Sequence, residues 1–207
     1  PRTTRRSSVA PQPAQGHGTL DDRAMILLRC AVLAAMLTGY APDAAPGQGA
    51  SAADAQTLQD NGLYEQAEAT AQSRVDILDG RYGRTSIEVA NASDLLVRAL
   101  LLNGKGAAAG TRAIAELSVQ TKELRLGATH VDLAISLINL GDCCVEAADY
   151  RCALAALERA VALRATSSAT NGVPLAEAQD HLGRALTAAG RNAEAVRTLE
   201  RSLQIKQ

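Results

Sequence analysis

The sequence predicts an all-α protein, an α-solenoid of antiparallel helix pairs wound as a right-handed superhelix. One observation is an internal repeat. Leu140-Gly141, Ala153 and Glu158-Arg159 recur as Leu182-Gly183, Ala195 and Glu200-Arg201, each 42 residues later, and a fixed interval of this size marks stacked helical hairpins. A second is the core composition: aromatic residues form 2% of the chain, with four Tyr and neither Phe nor Trp. A core of Ala, Leu, Val and Ile suits closely approaching helices better than a thick globular interior. The third is that each copy sets a short turn, Ala148-Asp149-Tyr150 or Gly190-Arg191-Asn192, between two helix-length segments.

Residues 1–24 are rich in Arg, Pro, Gln, Ser and Gly and nearly free of apolar residues, a composition expected to be disordered. Arg5-Arg6 read as tail charge, because no apolar run follows them directly; translation starting at Met25 is the alternative. Residues 25–41 then hold a short apolar run, Met25 to Leu37, preceded by Arg23 and followed by a small-residue stretch with Pro42 and Pro46. That order is the order of a secretory signal peptide, and the run falls short of the ~20 residues that span a bilayer. Gly39-Tyr40-Ala41 and Ala50-Ser51-Ala52 are the candidate cleavage sites. The expected location is therefore periplasmic or extracellular. If the segment is instead a helix of the fold the protein is cytoplasmic, and if it is retained it tethers the array to a membrane.

After a linker at 42–52, residues 53–207 read as about four hairpins, at 53–83 (partial), 85–127, 129–170 and 173–207. The first has a short helix from Ala53 to Asp60, a turn at Asn61-Gly62 and a second helix from Leu63 to about Leu78. The second opens with a helix from Ile87 to Leu102 whose Val89, Ala90, Leu96, Val97 and Leu100 form an apolar stripe, ended by Asn103-Gly104-Lys105-Gly106, residues that tolerate positive φ. In the third, Thr129 and Asp132 have the spacing of an N-terminal capping box. Ala67, Ala109 and Ala153 follow one another at intervals of 42 and 44, which implies a two-residue insertion, expected between Ala109 and Gly127. One such hairpin buries too little apolar surface to offset ordering its backbone, about 1–2 kcal/mol per residue. Stacking supplies the missing contact, with Gly141, Gly183, Ala153, Ala160 and Ala195 where helices must come close. Pro1 in first place and Gln207 within a helix lead to the expectation of a fragment at both ends, its uncapped last helix covered by further chain or by a second copy in a homodimer.

Several function classes are disfavoured. The net charge of −1, from 21 basic and 22 acidic residues, supplies no field for nucleic acid, and aromatic platforms for bases are lacking. One Cys pair with a distant Cys and scattered His lacks the spacing of a zinc site. His130 and Cys143 are separated by 13 residues of one helix, about 20 Å, too far for a nucleophile pair. No P-loop, dinucleotide fingerprint or Gly-x-Ser-x-Gly is present. No catalytic residue, metal or cofactor is expected. Cys30 would leave with the signal peptide. A disulfide between Cys143 and Cys152 across the hairpin turn is compatible with export, while Cys144 reads as a small buried apolar residue, a reading that fits Cys143 about equally well.

The Leu-Gly pairs, the turns, Ala153 and Ala195, and the closing runs Glu158-Arg159-Ala160-Val161-Ala162-Leu163 and Glu200-Arg201-Ser202-Leu203-Gln204-Ile205 resemble tetratricopeptide repeats. The resemblance is to the long-period variety of kinesin light chains and many bacterial proteins. The linker Gly127-Ala128-Thr129-His130-Val131-Asp132-Leu133-Ala134 is similar to that variety's Gly-x-x-His-Pro-x-x-Ala, with Val131 where Pro is usual. The resemblance implies a non-catalytic scaffold that takes a peptide or protein on a concave face lined by first helices, where an Asn before the Leu-Gly pair holds a bound backbone. Asn139 has that place, with Leu95 and His181 at its counterparts. Helical spacing puts Asn91, Asp94 and Arg98 on one face, as it does Asn139 and Asp142, and Asp180, His181 and Arg184; these are the candidate partner-binding residues. The alternative implied is the regulatory front of a larger bacterial enzyme, a caspase-like protease of the CHAT type, whose catalytic domain lies beyond Gln207.

Overall fold

The computed structural model describes residues 52–166 and 172–207. The signal-like segment Met25–Leu37, with Cys30, and the basic tail before it lie outside the described residues. The rest is eight α-helices: α1 (Ala52–Asp60), α2 (Tyr64–Tyr82), α3 (Ile87–Leu102), α4 (Ala109–Leu126), α5 (Leu133–Glu146), α6 (Tyr150–Thr166), α7 (Val173–Ala188) and α8 (Asn192–Lys206). No strand occurs among the described residues, and none of their helices is long and apolar enough to cross a membrane.

Successive helices pack as antiparallel pairs, α1/α2 through α7/α8, giving hairpins 1 to 4. Each first helix also packs on the first helix of the next hairpin, as α1 on α3, α3 on α5 and α5 on α7, whereas successive second helices do not approach one another this way. The inner layer is thus the tighter one. An array bends toward its tighter layer, so α1, α3, α5 and α7 line the concave side.

Within each hairpin one pair of residues, one on each helix, sets the closest approach. A Cβ at Gly141 would lie 2.5 Å from Cγ of Leu157, and one at Gly183 2.5 Å from Cδ2 of Leu199. The missing side chain of the first helix is the space that the leucine of the second fills. In hairpin 2 the sizes are exchanged: Val97 meets Ala115, both fully buried. In hairpin 1 both places hold alanine, Ala55 and Ala71. Over the four hairpins volume is shared in three ways, as a close-packed interior allows.

The two-residue insertion is real but lies elsewhere than expected. Turns 1, 3 and 4 have three residues, 61–63, 147–149 and 189–191, whereas the α3–α4 turn has six, 103–108. As a result Ala109 is exposed, and Thr111 takes the buried place of Ala67, Ala153 and Ala195, 42 residues before Ala153. Its hydroxyl donates to the Lys105 carbonyl (2.8 Å) inside the longer turn. The capping box at Thr129 and Asp132 does not form either. The helix starts at Leu133, Asp132 gives no side-chain cap, and the Asp132 N–H donates to Nδ1 of His130 (3.2 Å). Side-chain capping occurs at Ser86, whose Oγ accepts from the Val89 N–H, and at Asp149, whose Oδ1 accepts from the Cys152 N–H, each satisfying an orphan donor of the first turn.

Candidate functional site

The first-helix layer leaves a groove of about 610 Å³ that draws residues from all four hairpins: Gln56 of α1, Asn91 and Arg98 of α3, Ile135 and Ile138 of α5, and Glu177 and His181 of α7. A smaller recess of about 300 Å³ continues it past Arg98 and Asn139 to Asp142 and Arg184. Seven of the eight residues selected from helical spacing therefore border one continuous surface, namely Asn91, Asp94, Arg98, Asn139, Asp142, His181 and Arg184. Asn91, Arg98 and Arg184 are exposed there, and Ile135 adds an exposed apolar side chain.

Asp94, at the floor of the groove, and Asp180 are engaged within the array itself. Asp94 is buried, with Oδ2 2.6 Å from Nζ of Lys122 on α4 and 2.9 Å from the Oγ of Ser136 on α5. Asn139 Nδ2 donates to the Asp94 carbonyl (3.0 Å), and Lys122 donates also to the Asp132 carbonyl (3.3 Å). Burial pushes the Asp94 carboxyl above its ordinary value, against the pull of Lys122 and the hydrogen bonds of Ser136 and Asn139. The group is a polar rivet between hairpins 2 and 3, and its second oxygen, Oδ1, has no hydrogen-bond partner.

Asp180 repeats this arrangement in hairpin 4. It accepts from Ser202 Oγ (2.6 Å) and pairs with Lys206 on α8. With 38% of its side chain exposed, burial raises its carboxyl less than Lys206 and Ser202 lower it, and its pKa ends below the ordinary value. Lys122, Arg164 and Lys206 stand 42 residues apart on three of the four second helices, α4, α6 and α8; Lys122 and Lys206 pair with Asp94 and Asp180 of the first helices, and the place that corresponds in hairpin 3 is Ile138. The cation is kept three times and the anion twice. Lys122 and Arg164 escaped selection from the sequence, although this interval was there to mark them.

Asp142 and His181 join hairpins 3 and 4 across the recess, Nδ1 of His181 lying 2.8 Å from Asp142 Oδ2 and 3.0 Å from Oδ1. Arg184 closes on both, 2.6 Å from that nitrogen and 3.6 Å from Asp142. A carboxylate, an imidazole and a guanidinium meet here without a nucleophilic side chain beside them.

The disulfide pairs Cys144 with Cys152, at a Cα–Cα distance of 5.9 Å, and Cys143 is the free, buried thiol. This replaces the expected Cys143–Cys152 pair. Successive helical residues point about 100° apart; Cys144 faces its own hairpin partner, whereas Cys143 faces Val97 and Ala115 of hairpin 2. Burial, aided by Asp142, pushes the Cys143 thiol up to about 12. Sulfur atoms of Cys144 and Cys152 and an oxygen of Asp149 lie within 4.8 Å of one another. The sulfurs are bonded to each other, and Asp149 is engaged by the Cys152 N–H and by Arg112 at 3.1 Å, so the trio does not offer a free ligand set.

Among solved structures, the chain is similar to the nearly identical TPR-like repeats of a Podosopora anserina protein described as a kinesin light chain. A singly substituted form of that protein has 21% identity and a TM-score of 0.60, over 89% of this chain and 86% of the other. BtubC (BKLC) of P. vanneervenii is similar at 19% identity and a TM-score of 0.63, over 89% of this chain and 72% of the other. The fold is tetratricopeptide-like. No protein-family model matches the sequence, and no curated protein matches it. At these identities the similarity extends to the fold alone.

Proposed function

We propose that the chain is a non-catalytic interaction module that takes a segment of another protein along its first-helix groove. The observation that carries this is the groove itself, open over four hairpins and lined by the exposed Asn91, Arg98 and Ile135, the first two without a hydrogen bond or ion pair among the described residues. Amide, guanidinium and aliphatic groups on rigid helices are what a protein segment needs for backbone hydrogen bonds, charge and apolar anchoring. To test it, peptides are selected from a displayed random library on the full chain and rebound to Ile135→Glu and Asn91→Ala variants. A loss of about tenfold or more in affinity is expected for the groove variants; selected peptides that bind all variants alike would remove the groove as the site.

We propose further that the protein works outside the cytoplasm. The Cys144–Cys152 bond supports it, because such bonds persist in oxidising compartments, and the order of residues 25–41 supports it independently. Expression with the native N-terminus in a bacterial host, followed by intact-mass measurement of the periplasmic fraction, is expected to find a species starting between Pro42 and Ala53 with two fewer hydrogens than the reduced chain. An unprocessed, fully reduced cytoplasmic species would reject export.

A further inference from the structure

The second-helix cation of hairpin 3 lacks the carboxylate that its two counterparts have. Lys122 pairs with Asp94 and Lys206 with Asp180, each on the first helix of its own hairpin. In hairpin 3 that place is Ile138, and Arg164 is left half-buried with Nε shielded from water and without a hydrogen-bond partner. A buried guanidinium nitrogen with nothing to donate to is an uncompensated desolvation. Arg164 and Ile138 both line the 610 Å³ groove together with Asn139 and the exposed Arg98, which has no ion pair among the described residues.

We infer that Arg164 is an anion anchor, and that the missing carboxylate is supplied by an Asp or Glu side chain of the bound protein segment. The inference rests on the groove being the binding surface, and it adds the chemistry of the ligand. A carboxylate is favoured over a phosphate because a carboxylate holds the same position in hairpins 2 and 4. The planar guanidinium can meet a carboxylate with two parallel N–H bonds, Nε supplying one. Arg98 is placed to take a second acidic residue of the same segment.

The test uses fluorescein-labelled hexaglutamate as probe, with hexaglutamine and a dT10 oligonucleotide as comparisons, read by anisotropy at low ionic strength. The Arg Nε–H resonances are followed in parallel by NMR. Expected is saturable hexaglutamate binding that shifts the Arg164 Nε–H signal and weakens at least tenfold in Arg164→Gln. It should weaken equally in Ile138→Asp, where the chain supplies its own carboxylate, and return in part in Arg164→Lys. Thermal melts of each variant report whether it folds, and Ile138→Asp tests the idea without removing the arginine. Hexaglutamate bound equally by wild type and both variants would overturn the anchor and leave the groove standing. Tighter binding of dT10, or no binding of hexaglutamate with an unmoved Arg164 signal, would overturn the carboxylate assignment. Peptides recovered from the library that bind the groove yet carry no acidic residue would do the same, again without touching the groove reading.

Discussion

At the scale of single residues, the size exchange between helices is the feature with the most direct consequence. Gly141→Val places a side chain where Leu157 already stands, at 2.5 Å from the Cβ position, and overpacking of this kind costs about 1–3 kcal/mol. The better helix propensity of the new residue offsets part of it. Hairpin 2 shows the compensating solution, Val97 against Ala115. Gly141→Val is therefore expected to lower the urea midpoint, and Gly141→Val with Leu157→Ala to recover much of the loss, with a coupling of about 0.5–3 kcal/mol in a double-mutant cycle. Additive losses would show that the two residues do not share one space. The paired aspartates make a second prediction, because the same ion pair sits in two environments. Burial dominates at Asp94 and raises its pKa, while Lys206 and Ser202 prevail at Asp180 and lower it. The stability linked to Asp180 is present above its unfolded value and lost as pH falls through the folded one; that linked to Asp94 is present below its unfolded value and lost as pH rises toward the folded one. Carboxyl ¹³C titrations are expected to place the Asp94 midpoint above and the Asp180 midpoint below the ordinary ~3.9, and Asp180→Asn to make stability less sensitive to acid.

At the scale of the element, the hairpin turns follow one rule with one exception. Gly62, Gly104 and Gly190 hold φ values of 74°, 72° and 75°, and the same place in turn 3 is Ala148 at 56°. A left-handed alanine costs about 1–2 kcal/mol, part of which glycine would return through its freer unfolded chain. Ala148→Gly is thus expected to stabilise by about 0.5–1 kcal/mol, raising Tm by about 2 °C. The disulfide spans this turn, and closing so short a loop contributes roughly 2–3 kcal/mol on the chain-entropy account. Reduction should lower Tm while leaving buried Cys143 unalkylated below the thermal transition, and native-state alkylation of Cys143 would contradict its placement. Charge pairs across neighbouring hairpins keep their place and exchange their sign: Glu68 of α2 meets Lys105 at 2.7 Å, and Arg112 of α4 meets Asp149 at 3.1 Å. Such pairs at the rim set register more than stability. The helices and their interval were legible in the sequence because Leu-Gly, turn and Ala recur at fixed spacing. The site of the insertion was not, since Ala107, Ala108 and Ala109 offer an alanine in every register and the residue that is buried is a threonine. Asp94 likewise shares a helical face with Asn91 and Arg98, and only a lysine 28 residues later shows that its carboxylate is spent inside the array.

At the scale of the whole molecule, apolar burial is uneven along the array. One cluster runs from Val119 through hairpins 3 and 4 to Ala195, while hairpin 1 and much of hairpin 2 rely on smaller groups around Leu96 and around Val97. Stability in a stacked array is close to a sum over units and neighbouring interfaces, so opening is expected to begin at hairpin 1, where α1 has nine residues and buries Ala55 and Gln59. Amide exchange should be slowest in α5 to α7 and fastest in α1. The junction between hairpins 2 and 3 is the weak link of a different kind, since its contact is partly polar: the Asp94–Lys122 pair inside hairpin 2 is tied across it by the hydrogen bonds of Ser136, Asn139 and the Asp132 carbonyl. Asp94→Ala leaves Lys122 buried without an anion, a loss of about 3–5 kcal/mol, and strips Ser136 of its acceptor. That loss falls on hairpin 2 and its joint with hairpin 3, so hairpins 1 and 2 are expected to exchange and open while hairpins 3 and 4 keep their protection. Cys143, which packs across the same interface against Val97 and Ala115, should then become alkylated at low urea. Uniform loss of protection over all four hairpins, with Cys143 reacting only in the global transition, would mean that the array unfolds as a single unit and that the rivet stabilises the whole rather than its own joint.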